Sequence, residues 1–487
     1  MKAIKSFISS YPFLLVLVLA IGLRFPLFLS VNFNLDGDES IVGLMAKHLL
    51  EGQEFPLFFY GQSYGFSFFE VLPIALSFAL FGVSKLALKG AMLALWLLGV
   101  YLFYRTLTLL SSKKWLPVII TLLLVSSPFF FLWSMKARGG YLSGFVLTFF
   151  ASYILFHNGI LKRVKTGIVG VLIVFIYQAQ ALWLVGLLPI LFFPIVFKTS
   201  IKSKLTLILG LICASLLFYW IKLPLSHFWE PQVLAFEFFE NNSLEKVSQL
   251  IFINLTGSYL YGEYIQPSES IEILSWIYII GLTSLLGFGA FQFSKKKWGW
   301  KQLGIWGSPF IYIAVAFFTD ANNARYLLPL GVFTLFSFFF IVKEMRINRW
   351  MNLTMLLFIA LGSVSVIDFK SYSFEEDHAQ EKLVVQLEEN GITHLFCDNG
   401  LLQWKLMFLS NEKLIARYHS KNDRYQPYME EVQIAWEKTP NQSAYLGIYQ
   451  MSSTDSASGC VRAESPYFYC KNPSRELLEF HNFQLLE

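Results

Sequence analysis

Charge is scarce in this chain: Lys, Arg, Asp and Glu make up 15% of its 487 residues, against roughly 25% in a soluble globular protein. The net charge of +5 is small and leaves no nucleic-acid footprint. Cysteine is rarer still. The four, Cys213, Cys397, Cys460 and Cys470, show no Cys-x-x-Cys spacing, and no His-x-x-x-His pair accompanies them, so a zinc site has no support. Glycine-rich phosphate loops of the Gly-x-Gly-x-x-Gly or Walker kind are also missing, so nucleotide chemistry in the cytosol has no support. No small-residue cleavage site follows the first apolar run, so no cleaved signal peptide is expected.

What is present in excess is apolar and aromatic. Hydrophobic residues make up 55% and aromatics 18%, with 50 Phe, and the mean hydropathy is +0.53. That composition belongs to lipid-facing and interfacial helices. The Lys and Arg fall in clusters between apolar runs: Lys113-Lys114, Lys162 to Lys165, Lys198 to Lys204, Lys295 to Lys301, and Lys343 to Arg349. If the N-terminus lies in the cytosol, every cluster falls on the cytosolic side, as the positive-inside bias requires.

A crossing takes roughly 20 apolar residues. Spans are expected at Tyr11–Val31, Leu86–Leu109, Trp115–Trp133, Tyr141–Phe156, Lys204–Ile221, Ile273–Phe293, Gly304–Phe318, Tyr326–Val342 and Trp350–Ile367. Gly167–Phe197 is too long for one crossing, and its polar centre Gln178-Ala179-Gln180 reads as the outer turn of a tight hairpin. The expected fold is a polytopic α-helical membrane protein with about eleven crossings, N-terminus cytosolic. Phe66–Phe81 is apolar but short, carries Glu70 and Pro73, and as a crossing would put the later basic clusters outside. It reads as a helix along the membrane surface, as does Glu39–Leu50.

Residues 1–369 form the expected membrane domain, with outer loops at 32–85 and 224–272. Residues 370–487 turn polar and read as a soluble extracytoplasmic α/β domain, with a helix at Glu381–Glu389 and a strand at Gly391–Phe396. In that compartment Cys460 and Cys470 are able to pair, leaving Cys397 free.

Chemistry is concentrated in Leu35-Asp36-Gly37-Asp38-Glu39-Ser40, directly after the first span. Carboxylates that close to hydrocarbon are costly unless they bind a cation or move protons, although Asp and Gly also make ordinary turns. Further ordered pieces follow: Gly43 to Gly52, Phe55-Pro56, Tyr60-Gly61-Gln62-Ser63-Tyr64-Gly65, Lys136-Ala137-Arg138-Gly139-Gly140-Tyr141, Ala324 to Leu330, and Arg424-Tyr425-Gln426-Pro427-Tyr428. In this order they resemble the membrane glycosyltransferases of the GT-C class. Within it, the chain is similar to bacterial relatives of the dolichyl-phosphate-mannose–protein mannosyltransferases and the aminoarabinose transferases, the glycosyltransferase family 39-like group.

The resemblance implies transfer of a sugar from a polyprenyl-phosphate donor to an acceptor hydroxyl outside the membrane, the acceptor being an envelope glycan, lipid or protein. Asp38 stands where the family's Asp-Glu pair places its base, and Glu39 would orient the acceptor or the base. Arg325, Arg138 and Lys136 are the implied phosphate-binding cations; an interfacial anchoring role is the alternative for each. Asp36, Gln62, Tyr64 and Glu70 are cavity candidates. Asp36 with Asp38 forms an Asp-x-Asp that holds a divalent ion in other GT-C enzymes, so magnesium or manganese stays open, as does a plain helix-start carboxylate. Gln62-Ser63-Tyr64 departs from the Lys-Pro of the aminoarabinose enzymes, which weakens any transfer of their donor specificity. His48 reads as structural. The competing reading is a transporter or flippase of lipid-linked saccharides, against which stands the lack of internal repeats.

Overall fold

The structure, a computed structural model, describes residues 11–28, 35–222 and 300–486, apart from short stretches at 54, 63–64, 319–323, 345–348, 369–374, 421–422 and 449–450. Of residues 224–272, expected as a long outer loop, only a short antiparallel pair, Tyr259–Leu260 with Glu263–Tyr264, is described. The rest of that loop and most of the expected span Ile273–Phe293 lie outside the described residues. The chain divides into two compact units, one of residues 1–28, 92–136 and 140–371, the other of 29–91, 137–139 and 372–487.

The first unit is helical. It contains α1 (Phe13–Phe28), whereas α2 (Gly37–Glu51) and α3 (Phe68–Phe81) belong to the second unit, and α4 (Lys85–Leu110) passes from the second into the first. The first unit continues with α5 (Leu116–Ser126), α6 (Tyr141–Phe156), α7 (Lys162–Gln180), α8 (Leu182–Lys198), α9 (Ile201–Lys222), α10 (Trp300–Phe318), α11 (Leu328–Glu344) and α12 (Arg349–Asp368). Helices α4 and α9 are long and apolar enough to cross a membrane, and shorter apolar helices accompany them. Aromatic rings fill the interior: Trp96 meets Phe130 edge-on, Phe145 meets Phe130 and Phe149, and Phe336 meets Phe103 and Phe149.

Small residues let α7 and α9 lie close and parallel. Thr166 and Thr206 share a 2.8 Å hydroxyl bond, and a Cβ on Gly170 or Gly210 would fall within 2.4 Å of the partner backbone. Two helices that run parallel with α8 between them require a reversal near Ala181. The Trp183 indole donates to the Tyr141 carbonyl at 3.0 Å, close to that turn.

The expected span Trp115–Trp133 is not one helix. It stops at Ser126, and two 3-10 turns, Pro128–Phe130 and Leu132–Met135, follow. Pro128 has no N–H to donate and forces Ser127 into extended backbone, ψ 130°. The Ser127 hydroxyl turns back to the Leu123 carbonyl at 2.5 Å, taking up an acceptor at the helix end.

The second unit holds a mixed five-stranded sheet with β1 (His394–Cys397), β2 (Ile415–Arg417), β3 (Ser443–Ile448), β4 (Val461–Arg462) and β5 (Tyr467–Lys471) in the order β2-β1-β3-β5-β4. β1 pairs in parallel with β2 and β3; β5 runs antiparallel to β3 and β4. Its helices are α13 (Glu375–Glu389), α14 (Leu402–Leu409), α15 (Gln426–Lys438), α16 (Ser453–Ala457) and α17 (Arg475–Phe480). Leu395, Phe396 and Leu446 from the sheet are buried with Leu383, Leu387, Met429 and Val432 from the helices. Cys460 and Cys470 are joined in a disulfide, and Cys397 is free and buried, its thiol pushed up to about 12 by that burial. The unit also takes in residues 29–91 and 137–139, so the segment after α1 groups with the C-terminal domain.

Candidate functional site

Helix α2 begins where the sequence sets its acids. Asp36 is the N-cap: its Oδ1 accepts from the Glu39 amide at 2.7 Å, and Glu39 Oε2 accepts from the Asp36 amide at 3.2 Å, a reciprocal capping box. Asp38 and Glu39 occupy the first turn, where the helix end carries partial positive charge.

The three carboxylates then diverge. Glu39 is fully buried and its Oε1 pairs with Lys89 Nζ, itself almost fully buried at the start of α4. The Ala137 amide points at the same oxygen from 3.4 Å. Arg138 reaches two acids at once, with Nε 3.2 Å from Asp36 Oδ2 and Nη2 2.9 Å from Asp38 Oδ2. Asp36 is 8% exposed, whereas the Asp38 side chain is 22% exposed and is the acid of this triplet most open to a substrate. Arg138 thus pairs with Asp36 and Asp38, and Lys89 pairs with Glu39.

Arg138 arrives on a glycine turn. Gly139 adopts φ +62° and packs against Phe59 and Ser67, and Gly65, at φ +68°, lies against the Gly139 carbonyl. A side chain at position 139 would be strained by the backbone alone.

The C-terminal end of α2 carries a second polar cluster. His48 is fully buried, with Nδ1 2.7 Å from the Tyr60 hydroxyl and Nε2 3.0 Å from Glu412 Oε1. The Tyr428 hydroxyl donates to Glu412 Oε1 at 2.5 Å and lies 2.9 Å from His48 Nε2. Lys47 pairs with Glu412 Oε2 and donates to the Asn411 carbonyl at 3.2 Å. Tyr60 stacks on Tyr425 with centroids 4.8 Å apart. Burial pushes Glu412 up, but the bonds from His48, Lys47 and Tyr428 outweigh it and bring it down to about 2. Burial, then Glu412, raise the Tyr428 hydroxyl well above its ordinary value.

Of the residues expected from sequence, Asp36, Asp38, Glu39 and Arg138 come together. Gln62 is half-buried in the loop before α3, its backbone N–H donating to the Phe59 carbonyl at 3.0 Å. Glu70 is buried in the first turn of α3. Tyr64 lies outside the described residues. Lys136 and Arg325 belong to the first unit: Lys136 is buried beside the Trp133 ring, 5.8 Å from its centroid. Arg325 sits in a 3-10 turn, Ala324–Leu327, that leads into α11. Lys89 and Glu412 were missed by sequence reading. A lysine one turn inside an apolar span was the available signal for Lys89; Glu412 carries none.

Metal-ligating atoms gather in one place among the described residues, where Asp455, Cys460 and Cys470 offer a carboxylate and two sulfurs within 4.8 Å of one another. The sulfurs are bonded to each other, so the group lacks the thiolates a soft metal needs. Asp36 and Asp38 share the Arg138 guanidinium.

Helices, capped acidic loop and appended mixed sheet together make a largely α-helical protein of GT-C-like fold with a C-terminal α/β domain. The chain is similar to ArnT from Cupriavidus metallidurans bound to undecaprenyl phosphate, with a TM-score of 0.60 at 11% identity, covering 95% of this chain and 99% of that one. The apo form of that ArnT gives 0.48 at 12% identity, over 95% and 98% of the two chains. The Archaeoglobus fulgidus oligosaccharyltransferase in complex with zinc and sulfate gives 0.45 at 12%, over 83% and 61%. No family model matches the chain, and no curated protein matches it. The likeness to the first structure is one of fold.

Proposed function

We propose that this protein is an integral-membrane glycosyltransferase that moves a sugar from a polyprenyl-phosphate donor to an acceptor hydroxyl on the extracytoplasmic side, inverting the anomeric centre. The observation that carries this reading is Asp38, the least buried carboxylate of a capped acidic turn, held by Arg138 in a chain with the fold of an enzyme solved with undecaprenyl phosphate.

Asp38 takes the proton of the acceptor hydroxyl as that oxygen attacks the anomeric carbon in line; the new glycosidic bond forms as the bond to the donor phosphate breaks. Arg138 fixes the Asp38 carboxylate, and Glu39 fixes the helix start through its capping bond and Lys89. The departing polyprenyl phosphate needs cations, and Lys136 and Arg325 are assigned that role. Asp36, Gln62, Tyr64 and Glu70 are assigned to the substrate cavity, and no step is routed through a metal. The reading places the chain in the inner membrane with about eleven crossings, N-terminus in the cytosol, residues 1–369 as the membrane domain and 370–487 outside.

The test is transfer from radiolabelled polyprenyl-phosphate sugars to envelope fractions by purified wild type and by Asp38→Asn, each with and without chelator. Label moved by the wild type and reduced at least about a hundredfold in the variant supports the base. Full transfer by Asp38→Asn removes it. Donor flipping across vesicles without transfer gives the protein to the transporter class.

A further inference from the structure

Helix α2 has 15 residues, a length at which an isolated helix is marginal in water. Its stability and its place must come from what it packs on. Much of that packing comes from the C-terminal domain. A Cβ at Gly37 would lie 2.8 Å from the Leu401 carbonyl oxygen, and one at Gly43 would lie 2.4 Å from the Phe408 ring, so two glycines let α2 settle directly on α14 and the residue before it. At its far end Lys47 and His48 close on Glu412.

Glu412 holds its place at some cost. It sits at φ +64° directly after Asn411 at φ +53°, two successive left-handed residues without a glycine. Such strain persists where the surroundings over-determine it. Here both residues give α2 an acceptor, Asn411 by its carbonyl and Glu412 by its carboxylate. Tyr428 donates into the same carboxylate from α15, and Tyr60 holds the other ring nitrogen of His48.

We propose that the C-terminal domain is the mount of the catalytic helix, with Glu412 and Tyr428 as positioning residues that act on Asp38 through His48 and α2. The role assigned to Asp38 rests on the reading above; the mounting of α2 does not. A misplacement of about 1 Å at a reacting group costs on the order of a hundredfold in rate, so a loosened far end of α2 lowers turnover without altering what the donor touches.

The experiment uses the full chain in nanodiscs as wild type, Glu412→Gln, Tyr428→Phe and Asp455→Asn. Asp455→Asn is the control, since it weakens a partly buried contact of the same domain, to His481 at 2.6 Å, in which no residue of α2 takes part. Turnover is normalised to polyprenyl-phosphate binding sites, and amide hydrogen exchange is followed over residues 37–51. Glu412→Gln and Tyr428→Phe are expected to lower kcat per site about tenfold to a hundredfold with donor KM within about twofold. Exchange over α2 rises with it, and Asp455→Asn leaves both unchanged. Unchanged exchange over α2 in Glu412→Gln and Tyr428→Phe, or an equal loss of kcat in Asp455→Asn, overturns the proposal. If the wild type transfers no sugar, the reading of Asp38 fails, and the exchange data alone decide the mount.

Discussion

Asp38 and Glu39 adjoin in sequence and part company in environment. The Glu39 side chain is sealed against Lys89, whose own side chain is 2% exposed, and each depends on the other. Removing one charge of such a pair strands its partner, at a cost of about 3–5 kcal/mol. Glu39→Gln is therefore expected to lower the thermal unfolding midpoint sharply, and Glu39→Gln combined with Lys89→Met to recover part of that loss. A midpoint unchanged in Glu39→Gln would show that the pair holds nothing together. The sequence marks Asp-Glu as the candidate site, but it does not show the division between an open acid and a buried, paired one. It depends on Lys89 and Arg138, which lie 50 and 100 residues beyond Glu39 and Asp38 and meet them only in the folded chain.

At the scale of elements, periodicity and hydropathy located most helices within a few residues, because a span or an amphipathic face is written locally. Glu39–Leu50 is observed as α2, Phe66–Phe81 as α3 and Tyr141–Phe156 as α6. The span after Trp115 deviates because hydropathy does not register the missing donor of Pro128. Nor does sequence announce that Gly37 is a contact surface. The atom facing it is a backbone oxygen, which has no rotamer to yield. Gly37→Ala therefore overpacks the start of α2, at about 1–3 kcal/mol, although alanine is the better helix former. Thermal unfolding should show the loss, and turnover should fall with it because Asp38 is the next residue. A stabilised Gly37→Ala would mean that α2 does not rest on Leu401.

At the scale of the molecule, hydropathy divides the chain at residue 370, whereas the fold draws residues 29–91 and 137–139 into the C-terminal unit. Composition reports solvent, and contacts such as Lys85 with Glu381 or His48 with Glu412 leave no mark in it. Topology carries the same lesson, since sidedness rests on the basic clusters alone until a covalent marker reports it. The Cys460–Cys470 disulfide is that marker, because such bonds persist in oxidising compartments and are reduced in the cytosol. Cells quenched in acid, denatured and treated with a mass-tagged maleimide should show two reactive thiols, Cys213 and Cys397. Prior reduction should expose all four of the chain's cysteines. Four thiols without reduction would put the C-terminal unit in the cytosol. Because Asp38 and Glu412 belong to that one unit, the proposed acceptor site would move to the cytosol with it.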